Sequence, residues 1–283
     1  MSNVLEINNL SKSYAKFTLD NVSFNIEQGS ITGLVGPNGA GKTTIIKSIL
    51  NMIRYDHGDI KIFDKSHKKQ NADDIGVVMD NSLYEEEWSI KDLEKALSPF
   101  YASWDKAKFR ILLAKFGLEL DHLIKELSFG MNVKLMIAVA LSHGAKFLIL
   151  DEPTSGLDPV SRDELCDILR DCVEENGCTI FFSTHITADL EKIADKVVFV
   201  LNGKIEFFKK TQDLLAEYKF VRGSTEITEV ERSVIIGYKE NRSQFEGIVK
   251  VADVEKLRSQ MEIFDSTLDD ILVCINRGER QSL

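Results

Sequence analysis

Hydrophobic and polar positions alternate along much of the first third of the chain, which is the period of a half-buried β-strand. We expect strands at residues 4–7, 22–26, 59–63 and 76–79. A short apolar run at residues 30–35 stops abruptly at Gly36, and a helical pattern follows over residues 43–50. This part of the chain therefore predicts strands arranged around one early helix.

The middle of the chain is mainly helical in pattern, from residue 89 to residue 143. Two apolar runs follow, at residues 147–150 and 179–182, and they are continuous instead of alternating. Continuous apolar runs favour parallel strands that are covered on both faces. We therefore predict that these two segments lie in the centre of a parallel sheet.

Two local signals connect the later elements. The helix predicted at residues 159–176 opens with a proline and carries Ser161 and Glu164 at capping-box spacing. Further on, Asn202 and Gly203 separate two strand patterns, which is a strong hairpin signal. Together with the preceding runs, these signals give an alternation of strand, helix and strand.

The pattern as a whole predicts an α/β fold with a parallel core, an inserted helical segment and some antiparallel strands. From about residue 215 the pattern changes to short segments in which hydrophobic and polar residues alternate, interspersed with charged residues, and one helical stretch follows. We therefore predict a main domain over residues 1–215 and a small α/β appendage over residues 216–283.

Composition and charge narrow the function classes. The chain has 283 residues, 43% of them hydrophobic, and a net charge of −10. This negative charge argues against a nucleic-acid partner.

The four cysteines form no C-x-x-C pair, so we expect reduced thiols instead of disulfides or zinc. The N-terminus does not resemble a signal peptide, and we find no window of 18 consecutive apolar residues. We expect that the chain does not cross a membrane by itself.

A glycine-rich loop between the first apolar run and the first helix matches the phosphate-binding pattern G-x-x-x-x-G-K-[ST]. Its residues are Gly36, Pro37, Asn38, Gly39, Ala40, Gly41, Lys42 and Thr43, and we add Thr44 as the next nucleotide contact. The glycines allow backbone N–H groups to approach phosphate, Lys42 can reach the β- and γ-phosphates, and Thr43 can hold Mg²⁺. The alternative is a glycine-rich turn with a chance lysine.

A pair of carboxylates follows the apolar run at residues 147–150. Asp151 at the end of a parallel strand can hold Mg²⁺ through water, and Glu152 can orient or deprotonate an attacking water. Such a pair is often only a solvated turn. The neighbouring phosphate loop favours the functional interpretation.

The chain resembles the ATP-binding cassette (ABC) family over about residues 1–215. The residues that carry the resemblance, besides those of the phosphate loop, are Leu127, Ser128, Phe129, Gly130 and Met131 for the signature sequence, Ser155 to Asp158 for the D-loop, His185 for the switch histidine and Tyr14 for the aromatic that stacks on adenine. The resemblance implies a P-loop NTPase with a RecA-like parallel core, an antiparallel β subdomain, and a helical subdomain at about residues 85–142.

The resemblance also implies a mechanism with ATP and Mg²⁺ as cofactors. Two cassettes would pair head to tail, and Ser128 and Gly130 of one would face the nucleotide on the phosphate loop of the other. Glu152 would act as general base, His185 would hold the γ-phosphate and water, Lys42 would assist catalysis, and Asp158 would link the two sites. ATP binding would hold the dimer closed, and hydrolysis would open it.

Three positions depart from the family pattern. Phe129 stands where the signature usually has glycine, and Met131 stands where it often has glutamine. Asp80 stands where the family places a glutamine that touches Mg²⁺ and water, so we keep Asp80 as a candidate metal ligand. Tolerated subfamily variation and a simple strand-end cap are the alternative interpretations.

The resemblance implies integral membrane transporter subunits as partners, with the chain at the cytoplasmic face of the membrane. Tyr84, Trp88 and Trp104 lie in the segment that forms the docking groove in this family, although they could equally be core. The chain is most similar to stand-alone cassettes of bacterial exporters, some of which export antibiotics or amphipathic peptides. A non-transport ATPase and a regulatory nucleotide-binding module with little turnover are the alternatives.

Overall fold

The computed structural model describes residues 2–69, 72–79, 84–242, 244–257 and 261–281. Its strands are β1 (Asn3–Tyr14), β2 (Phe17–Glu27), β3 (Ile31–Val35), β4 (His57–Ile62), β5 (Lys65–Ser66), β6 (Ile75–Val78), β7 (Phe147–Asp151), β8 (Thr179–Thr184), β9 (Lys196–Leu201), β10 (Lys204–Lys210), β11 (Tyr218–Ser224), β12 (Ile236–Asn241), β13 (Gln244–Lys250) and β14 (Glu262–Asp265). Its α-helices are α1 (Lys42–Ile49), α2 (Ile90–Leu97), α3 (Lys106–Lys115), α4 (Phe129–Ser142), α5 (Pro159–Glu174), α6 (Thr187–Ile193), α7 (Thr211–Glu217), α8 (Glu229–Val234) and α9 (Leu268–Gln281). Short 3-10 helices lie at His67–Lys69, Ala72–Asp74, Ser98–Phe100, Ile124–Glu126 and Val251–Lys256.

The central sheet has the order β10-β9-β3-β8-β7-β6, and all of its strands except β10 run parallel. Every residue of β7 and β8 is buried, which confirms the prediction of parallel strands covered on both faces. The carboxyl ends of β3, β7 and β8 lie at one edge of this sheet, since neighbouring parallel strands end together. The loops that carry the predicted chemistry leave the sheet at that edge.

A second, antiparallel sheet with the order β2-β1-β4-β5 shares a hydrophobic cluster with α1 and with residues of the central sheet, including Leu34, Phe147 and Phe181. The predicted hairpin at Asn202 and Gly203 joins β9 to β10, with φ values of 48° and 78°. A Cβ on Gly203 would lie 1.9 Å from the carbonyl oxygen of Thr18, so only glycine fits there. The Gly203 N–H donates to the carbonyl oxygen of Ala40 at 3.1 Å, and this bond connects the hairpin to the phosphate loop.

Helices α2, α3 and α4 form the inserted helical segment, as the pattern over residues 89–143 predicts. The side chains of Ser89, Asp105 and Ser128 cap their N-termini. The predicted capping box of α5 is wrong: the N-cap is Asp158, whose carboxylate accepts from the backbone N–H groups of Val160 and Ser161. Because Asp158 caps the helix directly before the proline at its first position, α5 begins there, and Ser161 lies inside its first turn instead of at its start.

The C-terminal sheet has the order β12-β13-β11-β14, and α9 packs against it. Buried residues of this region, including Tyr218, Ile248 and Leu268, belong to the same hydrophobic cluster as the central sheet and α4. The backbone N–H of Leu268 donates to Glu191 of α6 at 2.5 Å. The predicted boundary at residue 215 lies inside α7, and the C-terminal sheet begins with Tyr218.

Within the described part of the chain, the helices lack the combination of length and apolar character that spanning a bilayer requires.

Candidate nucleotide site

The glycine-rich loop runs from the end of β3 to the first turn of α1. Gly39 and Gly41 have φ values of 81° and 116°, a region of backbone conformation that favours glycine. A Cβ on Gly41 would also lie 2.9 Å from Cζ of Phe17. The loop is closed by a hydrogen bond from the Ala40 N–H to the carbonyl oxygen of Pro37 at 3.1 Å. The loop thus ends at a helix N-terminus, where unpaired N–H groups and the helix dipole favour an anion.

A cleft with a volume of about 670 Å³ opens over this loop. It is lined by Tyr14, Phe17, Pro37, Asn38, Gly39, Ala40, Gly41, Lys42, Thr43, Thr44, Glu152, Ser155 and His185. This volume lies within the usual range for small-molecule sites. The structure therefore brings Tyr14, most of the predicted loop, and all three predicted catalytic residues, Lys42, Glu152 and His185, to one cleft. Gly36 lies at its base, where its carbonyl oxygen accepts from Nζ of Lys42 at 2.8 Å.

The aromatic wall of the cleft has two residues, of which the sequence pattern indicated only one. Tyr14 is 47% exposed, and Lys12 Nζ lies 5.5 Å from the centroid of its ring. The ring of Phe17 lies 6.4 Å from that of Tyr14, across the turn that joins β1 to β2. An aromatic residue directly after a two-residue turn was the signal that could have identified Phe17.

Three charged or titratable side chains meet in the cleft. Lys42 Nζ lies 3.5 Å from Glu152 Oε1, and Nδ1 of His185 lies 2.7 Å from Glu152 Oε2. The Lys42 side chain is largely buried, with 8% of its surface exposed, whereas that of His185 is 51% exposed. Glu152 therefore lies between a buried cation and an accessible imidazole.

The backbone of Glu152 has an unusual conformation, with φ at 51°. This left-handed region is uncommon for a residue other than glycine. The Glu152 N–H donates to both the hydroxyl (3.0 Å) and the carbonyl oxygen (3.2 Å) of Ser183 on β8. The Ser183 hydroxyl in turn donates to Asp151 Oδ1 at 2.6 Å. Asp151 is buried at the end of β7, and Ser183 was not identified from the sequence.

The residues predicted for the metal have the chemistry that Mg²⁺ requires. The exposed hydroxyl of Thr43 and the carboxylate of Asp151 are hard oxygen ligands, and Mg²⁺ is usually held by one or two such groups together with substrate phosphates and water. Among the described residues, no three His, Cys, Asp or Glu side chains are grouped so that they could hold a metal ion by themselves. The third predicted ligand, Asp80, lies outside the described residues.

Ser128, Gly130 and Asp158 do not line the cleft of their own chain. Ser128 is exposed at the N-cap of α4, where its hydroxyl accepts from the Met131 N–H, and Gly130 is half-buried. A Cβ on Gly130 would lie 3.1 Å from Cδ2 of Leu157, so the signature helix begins beside the D-loop. Asp158 is exposed, and hydrogen bonds from the hydroxyl and N–H of Ser161 lower its pKa.

A second cleft of about 460 Å³ lies between the end of α1 and α4. Tyr84, Tyr101 and His143 line it, and the rings of Tyr101 and His143 stack at 4.2 Å. Burial lowers the pKa of His143 and raises that of Tyr84. Trp104 packs against Phe109 within the helical segment, whereas Trp88 is 39% exposed. Tyr84 and Trp104 are both half-buried and pack against the main hydrophobic core, and of these two only Tyr84 also lines the second cleft.

Proteins with similar sequences are named as transport ATP-binding proteins, which agrees with the phosphate-binding geometry of the cleft. The chain is 37% identical over 205 residues to the lantibiotic transport ATP-binding protein SrtF of Streptococcus pyogenes, covering 71% of this chain and 89% of that protein. It is 33% identical over 211 residues to the bacitracin transport ATP-binding protein BcrA of Bacillus licheniformis, covering 72% of this chain and 69% of that protein.

Solved structures give the same result for the fold. An ATP-binding subunit of an ABC transporter superposes with a TM-score of 0.67 at 27% identity, covering 75% of this chain and 91% of that one. A dimeric ATP-binding cassette in a post-hydrolysis state, bound to ADP and phosphate, superposes with a TM-score of 0.63 at 23% identity, covering 73% and 98%, which supports the fold alone. The family described as "ABC transporter" matches residues 19–155. This chain therefore belongs to the ABC transporter ATP-binding proteins, and it is the ATP-binding and ATP-hydrolysing subunit of such a transporter.

Proposed function

We propose that the chain drives export through separate membrane subunits by ATP-dependent, head-to-tail pairing of two cassettes. The observation that carries this proposal is the position of Ser128. It caps the N-terminus of α4 at an exposed site and does not line the cleft of its own chain. A helix N-terminus is suited to an anion, and here that anion would be brought by a second cassette.

The residues at and beside the cleft have distinct roles in this proposal. Lys42 and the N–H groups of the loop bind the phosphates, and the ring of Tyr14 packs on the base. Thr43 and Asp151 hold Mg²⁺, which when bound neutralises phosphate charge. Glu152 accepts a proton from the attacking water, and His185 orients that water, which its 2.7 Å contact with the Glu152 carboxylate supports.

The signature sequence and the D-loop form one continuous contact surface for the second cassette. Gly130 and Leu157 adjoin, and Ser128 and Asp158 are both exposed beside them. A dimer closed over two nucleotides would bury this surface, and ATP would stabilise it because the nucleotide binds the closed form preferentially. The dimeric cassette with ADP and phosphate has the same fold.

The groove between α1 and α4 is the proposed contact with the membrane subunits. Its aromatic wall, Tyr84 and Tyr101, has the composition typical of interface cores. The chain would then act at the cytoplasmic face of the membrane, without a nucleic-acid partner. Because two relatives are named for lantibiotic and bacitracin transport, we propose an amphipathic or antimicrobial peptide as the exported substrate.

The pairing is tested with the variant Glu152→Gln, which keeps the size of the side chain and removes the proton acceptor. With saturating Mg-ATP, we expect this variant to accumulate as a dimer in size-exclusion chromatography with light scattering. The double variant Glu152→Gln, Ser128→Arg is the matched test of the interface, and it should remain monomeric while still binding ATP. A Glu152→Gln protein that stays monomeric with bound ATP would contradict head-to-tail pairing.

The groove is tested separately, through the membrane partner. Tyr101→Ala should abolish co-purification with the membrane subunits and leave the ATPase activity of the isolated chain unchanged. Ile111→Ala is the control, since Ile111 is 67% exposed on α3 and does not line the groove. Retained co-purification of Tyr101→Ala would place the contact with the membrane subunits elsewhere.

A further inference from the structure

We infer that Ser183 is a positioning residue for ATP hydrolysis, because its single hydroxyl holds both acidic residues of the site in place. The inference rests on the roles proposed above for Asp151 and Glu152. Ser183 lies on β8 directly beside the end of β7, where the parallel register pairs it with Asp151. It is fully buried, and its hydroxyl bonds to both Asp151 and Glu152.

The two hydrogen bonds determine where the hydroxyl proton lies. A serine hydroxyl has one proton and two lone pairs. The Glu152 N–H must donate, so the hydroxyl accepts from it at 3.0 Å. Its own proton is then directed to Asp151 Oδ1 at 2.6 Å. The bond to Asp151 is charge-assisted, and such bonds are short and strong.

The bond to Glu152 has a second consequence, because the Glu152 backbone is in the left-handed region with φ at 51°. A residue other than glycine stays in that region only when its surroundings hold it there. The hydroxyl and the carbonyl oxygen of Ser183 both accept from this one N–H. The conformation that they stabilise directs the Glu152 carboxylate to Lys42 and His185.

Another buried hydroxyl of the central sheet offers a matched control. Thr32 is also fully buried in the central sheet, on β3, and its hydroxyl has no hydrogen-bond partner within the described residues. Removing the Thr32 hydroxyl as Thr32→Val therefore tests the general effect of losing a buried hydroxyl from this sheet. Removing the Ser183 hydroxyl as Ser183→Ala tests the contact with the two carboxylates. The variant Ser183→Thr restores the hydroxyl.

The experiment measures kcat, the KM for ATP, and the half-saturating Mg²⁺ concentration of the full-length chain. We expect Ser183→Ala to lower kcat at least about tenfold and to raise the Mg²⁺ requirement, since a hydrogen bond to a charged group is lost. ATP binding in EDTA should stay within about twofold, because the phosphate loop is untouched. Ser183→Thr should recover kcat, and Thr32→Val should match the wild type.

A second measurement needs no ATP turnover, because it follows the binding of Mn²⁺ in place of Mg²⁺. In the Glu152→Gln background, electron paramagnetic resonance should show weaker Mn²⁺ binding to the ATP complex when Ser183 is alanine. If Ser183→Ala does not fold, as judged by circular dichroism, then Ser183→Cys replaces it, since the thiol is a weak donor of similar size and should also lower kcat.

The outcomes separate this inference from the proposed function. Suppose that Asp151→Asn and Glu152→Gln both lose turnover. If Ser183→Ala then keeps the kcat and Mg²⁺ dependence of the wild type, the inference is overturned. The same holds for Ser183→Cys if that variant has to be used instead. Wild-type turnover in Asp151→Asn or Glu152→Gln would instead overturn the proposed role of that carboxylate. A loss of thermal stability in Ser183→Ala with kcat unchanged would reduce Ser183 to a structural residue.

Discussion

The ammonium of Lys42 lies 3.5 Å from the carboxylate of Glu152, and the same ammonium donates to the carbonyl oxygen of Gly36 at 2.8 Å. This contact joins the residue proposed to bind phosphate to the residue proposed to accept a proton. A bound phosphate would attract the same ammonium, so nucleotide binding and the environment of the general base are coupled through Lys42.

The first prediction concerns this lysine. Lys42→Ala should lower ATP turnover by at least about a hundredfold, because it removes the buried cation that faces both phosphate and Glu152. Phosphate release from the purified chain measures the effect. Lys47→Ala, on the same helix but outside the cleft, should retain wild-type turnover. Retained turnover in Lys42→Ala would reject the phosphate-loop assignment.

The second prediction concerns the aromatic wall. Tyr14→Ala should weaken ATP binding about tenfold, because stacking of a base on an aromatic ring contributes roughly 1–3 kcal/mol. Tyr14→Phe should bind ATP like the wild type, since the ring is kept. Fluorescence titration with an ATP analogue labelled on the ribose measures both. Equal affinity for Tyr14→Ala and wild type would show that the base packs elsewhere, with Phe17 as the next candidate.

The third prediction is a pH dependence at the start of α5. Hydrogen bonds from Ser161 lower the pKa of Asp158 below its ordinary 3.8. The carboxylate therefore contributes stability that is present above about pH 3.8 and is lost as the pH falls through the lower, folded-state value. The Tm difference between wild type and Asp158→Ala, about 2–4 °C at pH 7, should shrink as the pH falls below about 3.8. A constant difference down to pH 2.5 would contradict this account.

The fourth prediction concerns the C-terminal region. Leu268 is fully buried in the cluster that it shares with the central sheet, so Leu268→Ala should lower the free energy of unfolding by about 2–5 kcal/mol. Val273 lies on the same helix and is 36% exposed, and Val273→Ala should have a much smaller effect. Calorimetry should show one cooperative transition for the whole chain. Two separate transitions would show that residues 216–283 unfold independently.

The predictions from local pattern were most successful where one physical requirement controls a short segment. Continuous apolar runs predicted the buried strands β7 and β8, and the Asn202-Gly203 pair predicted its hairpin because both residues adopt positive φ values. The capping box at Ser161 was wrong, because Asp158 caps the helix three residues earlier and so places Ser161 inside its first turn.

The sequence by itself identified the phosphate-loop pattern and the two acidic residues, because each depends on residue types at fixed spacing along one stretch of chain. The cassette fold was what the resemblance to the ABC family implied, and a solved structure confirms it. Only the tertiary structure decided that Ser183 bonds to Asp151 and Glu152, that Phe17 joins Tyr14 at the cleft, and that α9 packs on α6. These contacts depend on the order and register of strands and on how separate layers pack. Residues far apart in sequence become neighbours only through that packing, so no local pattern carries a signal for them.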